Sequence, residues 1–131
     1  MKVITIQEPW ASLIGEGIKT IETRSWKTNY RGELYIHSGL SPIRSKDEKA
    51  KEMAQLLSGP FHSGFIFAKC ELVNCLEIND ELAAQLFIDD PINFKCGDYS
   101  IGRYAWILNN VQRINPIPAK GQLSIWNYNI K

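Results

Sequence analysis

Between Gly17 and Gly32 the chain reads GIKTIETRSWKTNYRG, a stretch in which Lys19, Glu22, Arg24, Lys27 and Arg31 surround Trp26 and Tyr30. Arginine presents a planar fork of donors that grips a phosphate at two points, whereas lysine presents a single charge, so Arg24 and Arg31 are the candidate phosphate contacts. Trp26 and Tyr30, interleaved with the cations, can each give a base a π-face, a stack worth about 1 to 3 kcal/mol. Glu22, between Lys19 and Arg24, is placed to orient both or to accept a hydrogen bond from a base's exocyclic amine. Read as chemistry, the stretch describes a recognition cleft for an anionic, aromatic ligand. The competing reading is a surface ion-pair cluster, in which each pair contributes only about 0 to 1 kcal/mol.

The other reactive residue types are sparse. His37, at the end of LYIHS, has the right chemistry for a general base near neutral pH. No nucleophile or acidic partner stands at a telling spacing from it, so a hydrogen bond at a strand end is the expected role. His62 follows Gly59-Pro60 and reads as a loop residue. The three cysteines, Cys70, Cys75 and Cys96, are odd in number and lack both C-x-x-C pairing and clustered histidines. Buried thiols are expected rather than a disulfide framework or a zinc site, and neither a metal nor a cofactor is called for. Trp106 and Trp126 sit at apolar positions and read as core; Trp10, beside Gln7 and Pro9, is the tryptophan best placed to face a ligand.

These residues need a scaffold, and 131 residues with 44% hydrophobic content fit one domain with a real core. MKVITIQEPW lacks the apolar run of a secretory signal, and no segment approaches the roughly 20 apolar residues of a membrane span. The expectation is a cytoplasmic protein without a membrane partner. Charge is unevenly spread: residues 1–44 carry six Lys/Arg against four Asp/Glu, residues 45–99 carry five against ten, and residues 100–131 carry four against none. If the two basic ends meet in space, they form one positive face able to attract a phosphate backbone.

Met1 to Ile6 reads as a strand, and Pro9 opens a short helix holding Trp10, Leu13 and Ile14 before Gly15 and Gly17. Lys19 to Ser25 favours a strand by its Thr and Ile content. In a regular strand Lys19 and Glu22 would face opposite ways, so an irregular backbone is expected there if the two share a cleft. Glu33 to Ser38 is a firmer strand. Ser41-Pro42 looks like the start of an amphipathic helix from Ile43 to Leu57, closed near Gly59-Pro60. Gly64 to Ile78 reads as one long or bent strand, and Asn79 caps the short helix ELAAQLF. Gly102 to Val111 is the last major strand, with a short closing one at Leu123 to Tyr128. This order predicts an α+β fold, a small, mostly antiparallel β-barrel with two or three peripheral helices. Small barrels have filled interiors, which sends any site to a surface cleft between barrel and helices.

The segment from Gly17 to Arg24 resembles the G-x-K-x-x-E-x-R signature of the ASCH domain family, whose fold is related to the PUA domains of RNA-modifying enzymes. QEPWASLI upstream, SWKTNYRGELYIHSG downstream and the later GDYSIGRYAWIL are also similar to the pattern of its single-domain bacterial members. The resemblance implies a PUA-like barrel and a nucleic-acid or nucleotide-related role, with RNA, another single strand or a modified nucleoside as ligand. It implies that Lys19, Glu22 and Arg24 line a common cleft, that Gln7 and Trp10 lie beside it, and that Arg103 of GRYAW forms a second wall. Members of the family include transcription-coactivator domains, proposed RNA binders, a ribonuclease and small acetylcytidine amidohydrolases. In those amidohydrolases a lysine activates a hydroxyl or water, a threonine sits three residues later and a glutamate further along assists. Lys19 matches the lysine, but Glu22 occupies the threonine position, and the further glutamate has only Glu71 or Glu81 as candidates. A ribonuclease would need a base and a cation, which Glu22 or His37 with Lys19 or Arg24 would supply.

Overall fold

In a computed structural model, residues 1–129 are described. Strand β1 (Lys2–Ile6) leads into helix α1 (Trp10–Gly15), strand β2 (Ile21–Arg24) and strand β3 (Gly32–Ser38). Helix α2 (Glu48–Ala54) and the long strand β4 (Phe65–Glu77) follow, then helices α3 (Asp80–Asp89) and α4 (Pro91–Lys95), the long strand β5 (Tyr104–Pro118) and the short strand β6 (Ile125–Asn127). The six strands form one mixed sheet in the order β2-β5-β4-β3-β1-β6. Among the described residues only β1 against β3 runs parallel; the other pairings are antiparallel.

The sheet curls because its two longest strands are bent. The β4–β5 pairing shifts register three times, between Ile66 and Ala68, Lys69 and Glu71, and Leu72 and Asn74. Each such irregularity adds local twist, and Asn110 of β5 adopts a left-handed φ of 56°, a conformation asparagine tolerates better than most residues. Curling brings the β2 edge round toward β1, where the Arg24 guanidinium donates through Nη2 to the Thr5 carbonyl at 3.1 Å. The concave side is filled by Ile4, Ile6, Ile14, Leu34, Ile36, Phe67, Trp106 and their neighbours, with α1 packed over them. This is the α+β, barrel-like architecture expected from the strand order. Among the described residues it carries four helices where two or three were expected, and β1 pairs in parallel with β3. No helix among the described residues is long and apolar enough to cross a membrane.

Three elements differ from the sequence reading, the last major strand among them: read as ending at Val111, it continues as β5 to Pro118. The helix expected over Ile43–Leu57 begins only at Glu48, because Asp47 takes the Ala50 backbone N–H on its carboxylate and fixes the helix start there. Only Ala50 and Met53 of α2 are buried, so nothing apolar holds residues 43–47 in a helical turn. Helix α4 was not foreseen, although Asp90-Pro91 carries its signature: Asp90 caps the Asn93 N–H, and Pro91 occupies the first turn.

Candidate functional site

The segment bearing the charged motif is shaped from three directions. After α1, Gly17 takes a φ of 78°, which glycine adopts without strain, and Ile18 and Lys19 then donate their N–H groups to the Leu13 carbonyl. Thr20 is clamped by the buried Asn93 of α4: its N–H reaches Asn93 Oδ1 at 2.8 Å, and Asn93 Nδ2 reaches Thr20 Oγ1 at 3.0 Å. From Ile21 onward the backbone pairs with β5, placing Glu22 opposite Trp106 and Arg24 opposite Tyr104. Lys19 therefore lies outside the strand, which removes the alternation that would have parted it from Glu22.

Lys19 is 1% exposed. Its ammonium donates to the carbonyls of Ile21 and Cys96, the latter at 2.8 Å, and lies 3.3 Å from Glu22 Oε1. Three donors thus meet three acceptors inside the protein. The other carboxylate oxygen of Glu22 receives Arg24 twice, through Nε at 3.0 Å and Nη2 at 2.9 Å. Glu22 is the link between a buried lysine and an arginine at the surface.

Arg24 faces a cavity of about 530 Å³ whose walls come from six parts of the chain. The end of β1 contributes Thr5 to Gln7, α1 gives Trp10, and β2 gives Glu22 to Arg24. Lys49 projects from α2, Cys96 to Asp98 and Arg103 come from the approach to β5, and Gln122 to Ser124 come from the loop before β6. Arg103 donates from Nε to the Asp98 carbonyl at 3.1 Å and lies 3.6 Å from Asp98 Oδ2. Among the described residues, neither Arg24 nor Arg103 has a protein partner for Nη1. Lys49 donates to the Gly97 carbonyl at 3.1 Å. The Asp98 carboxyl is held below its ordinary value by the Ser100 hydroxyl, against the opposing effect of burial and with help from the Ser100 N–H, Arg103 and Lys49. The cavity holds three cations against the carboxylates of Glu22 and Asp98, with half-buried Trp10 on one wall.

Of the residues singled out by sequence, Gln7, Trp10, Glu22, Arg24 and Arg103 line this cavity and Lys19 lies directly behind it. Trp26, Tyr30 and Arg31 do not line it. The Trp26 ring meets Trp106 edge-on at 4.7 Å, and the Tyr30 hydroxyl donates to the Glu33 carbonyl. Arg31 turns back onto the carbonyls of Thr28 and Tyr30. His37 is buried, with Nε2 against the Ala119 carbonyl at 2.7 Å and Nδ1 against Thr5 Oγ1 at 3.2 Å. The carbonyl can only accept, so Nε2 carries the proton and Nδ1 accepts from Thr5. Glu71 and Glu81 are exposed and line no part of the cavity.

Sequence reasoning missed Lys49, Asp98, Gln122 and Leu123. The D-Y-S sequence at Asp98 does carry a signal, an aspartate capturing the Ser100 N–H at 3.1 Å. It also missed Glu8, a buried carboxylate that accepts from the Ser12 N–H and from the hydroxyls of Ser12 and Ser38, stitching α1 to β3.

A curled mixed sheet with peripheral helices and a polar cavity beside its edge strand define a small PUA-like α+β domain. The family model for the ASCH domain matches residues 4–118, and the chain belongs to that family. Activating signal cointegrator 1 of Mus musculus and of Homo sapiens are each 28% identical to it over 137 residues. Those alignments take in 98% of this chain and 22% of each relative, so the chain spans about a fifth of the length of the curated relatives it matches. Among solved structures, a single-residue variant of ZmASCH from Zymomonas mobilis superposes with a TM-score of 0.55 at 17% identity, covering 89% of this chain and 74% of that one.

Proposed function

We propose that the cavity binds a nucleotide unit of single-stranded RNA, the phosphate held by Arg24 and Arg103 with Lys49 nearby and the base set against Trp10. The observation that carries this reading is the pair of arginines, each anchored through Nε and Nη2 and each with Nη1 unspent, on the wall of a cavity large enough for a small ligand. Anchoring on one edge lowers the entropy lost when the other edge takes up a phosphate. Among the described residues Glu22 Oε1 has a single protein contact, so it retains capacity to accept from a base amine, as does Gln7 elsewhere in the lining. Membership of a family generally related to RNA binding agrees with this chemistry.

The alternative, a small hydrolase acting on 4-acetylcytidine or RNA with Lys19 and Glu22 in the chemistry, has less support. A lysine acting as base needs a free lone pair near the substrate, and the Lys19 ammonium is buried with its three donors engaged. The test is fluorescence anisotropy of a labelled single-stranded RNA at rising KCl. Each phosphate neutralised on a single strand gives a slope of log affinity against log salt of about −0.7, and Arg103→Ala lowers the affinity. Affinity indifferent to salt and to Arg103→Ala overturns the reading. Product chromatography with 4-acetylcytidine and RNA is expected to return both substrates unchanged; turnover lost in Lys19→Ala supports the hydrolase instead.

A further inference from the structure

The nucleotide cavity does not end at its own walls. A second cavity of about 360 Å³ adjoins it and shares Thr5, Gln7, Gln122 and Leu123 with it, adding His37, Gly39, Leu40, Lys120 and Gly121. The shared residues form a ridge, and Leu123 on that ridge is 92% exposed. Leu40, on the wall of the second cavity, is 77% exposed. Exposed singly, such leucines need no explanation, but two of them flanking one concavity give it an apolar lip.

The ridge is firmly held from beneath. Thr5 Oγ1 accepts from Trp126 Nε1 at 3.1 Å and from the Gln122 N–H at 3.3 Å, and it gives its own proton to His37. His37 donates onward to the Ala119 carbonyl. Gly121 lies so close that an added Cβ would stand 3.0 Å from Thr5 Cγ2 and 3.2 Å from His37 Cε1. The backbone from Ala119 to Gln122 is thus fastened to β1 and β3, while Lys120 is exposed and has no hydrogen bond or ion pair among the described residues. Among the described residues, Lys120 is also the one charged residue lining the second cavity, and no carboxylate there opposes it.

We infer that the second cavity is a subsite for the neighbouring nucleotide of the same RNA strand. Lys120 contacts the phosphate and Leu123 acts as an apolar wedge between the two bases. This rests on the nucleotide reading of the first cavity and makes the ligand a polymer rather than a free nucleoside. An apolar side chain inserted between bases is a recognised way of splaying them, and a single lysine suits a phosphate that is only partly enclosed.

The experiment compares uridine 5′-monophosphate, the dinucleotide UpU with a 5′-phosphate, and a hexauridylate, by competition against the labelled RNA. The dinucleotide is expected to bind at least tenfold tighter than the mononucleotide. Lys120→Ala removes most of that gain and leaves mononucleotide affinity unchanged, and Leu123→Ala also weakens the dinucleotide. Equal affinity of wild type for mononucleotide and dinucleotide, or a dinucleotide affinity untouched by Lys120→Ala, overturns the second subsite. If mononucleotide binding persists and falls in Arg103→Ala, the first cavity stands while the second fails. Absence of binding by all three probes overturns both.

Discussion

Replacing Lys19 by methionine removes a buried cation of similar length, and the structure sets what that costs. Glu22, 8% exposed, loses the charge 3.3 Å from Oε1, and the carbonyls of Ile21 and Cys96 lose a donor. Breaking a buried pair by deleting one partner costs about 3 to 5 kcal/mol, because the remaining charge stays desolvated. Arg24 still neutralises Oε2, which puts the expectation at the lower end, about 3 kcal/mol. Against the roughly 5 to 15 kcal/mol that hold a domain folded, this is a large fraction. At about 4 °C per kcal/mol for a chain of this length, the melting temperature should fall by roughly 12 °C. Urea unfolding with unchanged m-value is the assay, paired with Glu22→Gln and the double variant. The two changes should be strongly non-additive, with a coupling of about 1 to 3 kcal/mol. A Lys19→Met loss under about 1 kcal/mol, or strict additivity with Glu22→Gln, would refute the claim that the lysine is an internal strut.

Three further outcomes are expected. Among the described residues the buried Tyr99 hydroxyl has no hydrogen-bond partner; an orphaned buried hydroxyl costs about 1 to 3 kcal/mol, so Tyr99→Phe should raise the urea midpoint, and a lowered one means the hydroxyl is satisfied in solution. Cys70 is buried with its thiol pushed up to about 12, chiefly by burial and then by Glu71, and burial also raises Cys96 against Lys19 and Lys49. Native protein at pH 8 should therefore react with a thiol reagent at half-buried Cys75 first, and equal rates at all three cysteines would contradict the packing. Asp98 sits below its ordinary 3.8 in the folded protein; a depressed carboxylate adds stability that is present above the unfolded value and lost as pH falls through the folded one. The stability difference between wild type and Asp98→Asn, measured by urea at pH 6 and pH 3, should shrink on acidification, and a difference that grows reverses the sign.

The parts legible in the sequence are those written locally. The Asn79 cap, the long β4 strand and the G-x-K-x-x-E-x-R segment each announce themselves within a few residues, and each stands where it was read. Trp26 shows the limit of that method. Interleaved with cations it reads as a stacking platform, yet its ring packs perpendicular to that of Trp106, eighty positions away on β5, and lines no part of the cavity. The opposite wall of the cavity is hidden for the same reason. Lys49, Asp98 and the Gln122–Leu123 pair come from three separate segments, and only the curl of the sheet brings them to the cavity that Arg24 faces. No periodicity within one segment encodes that convergence.

The charge order of the motif follows from its position at the boundary between core and solvent. A cation at the first position must satisfy two backbone carbonyls and a carboxylate in a space where almost no water enters, which suits the compact, three-donor ammonium of lysine. The carboxylate two strand positions before the arginine faces the same side of β2 as that arginine, because strand side chains alternate, and so grips it along Nε and Nη2. Arginine at the last position is then fixed on one edge and open on the other, which a single-point ammonium would not achieve. Exchanging the two cations should therefore damage both functions: the bulkier guanidinium would overfill the buried site, and the lysine would give up the anchored fork. A Lys19→Arg, Arg24→Lys swap that kept wild-type stability and RNA affinity would show that total charge, not its ordering across the boundary, is what the segment requires.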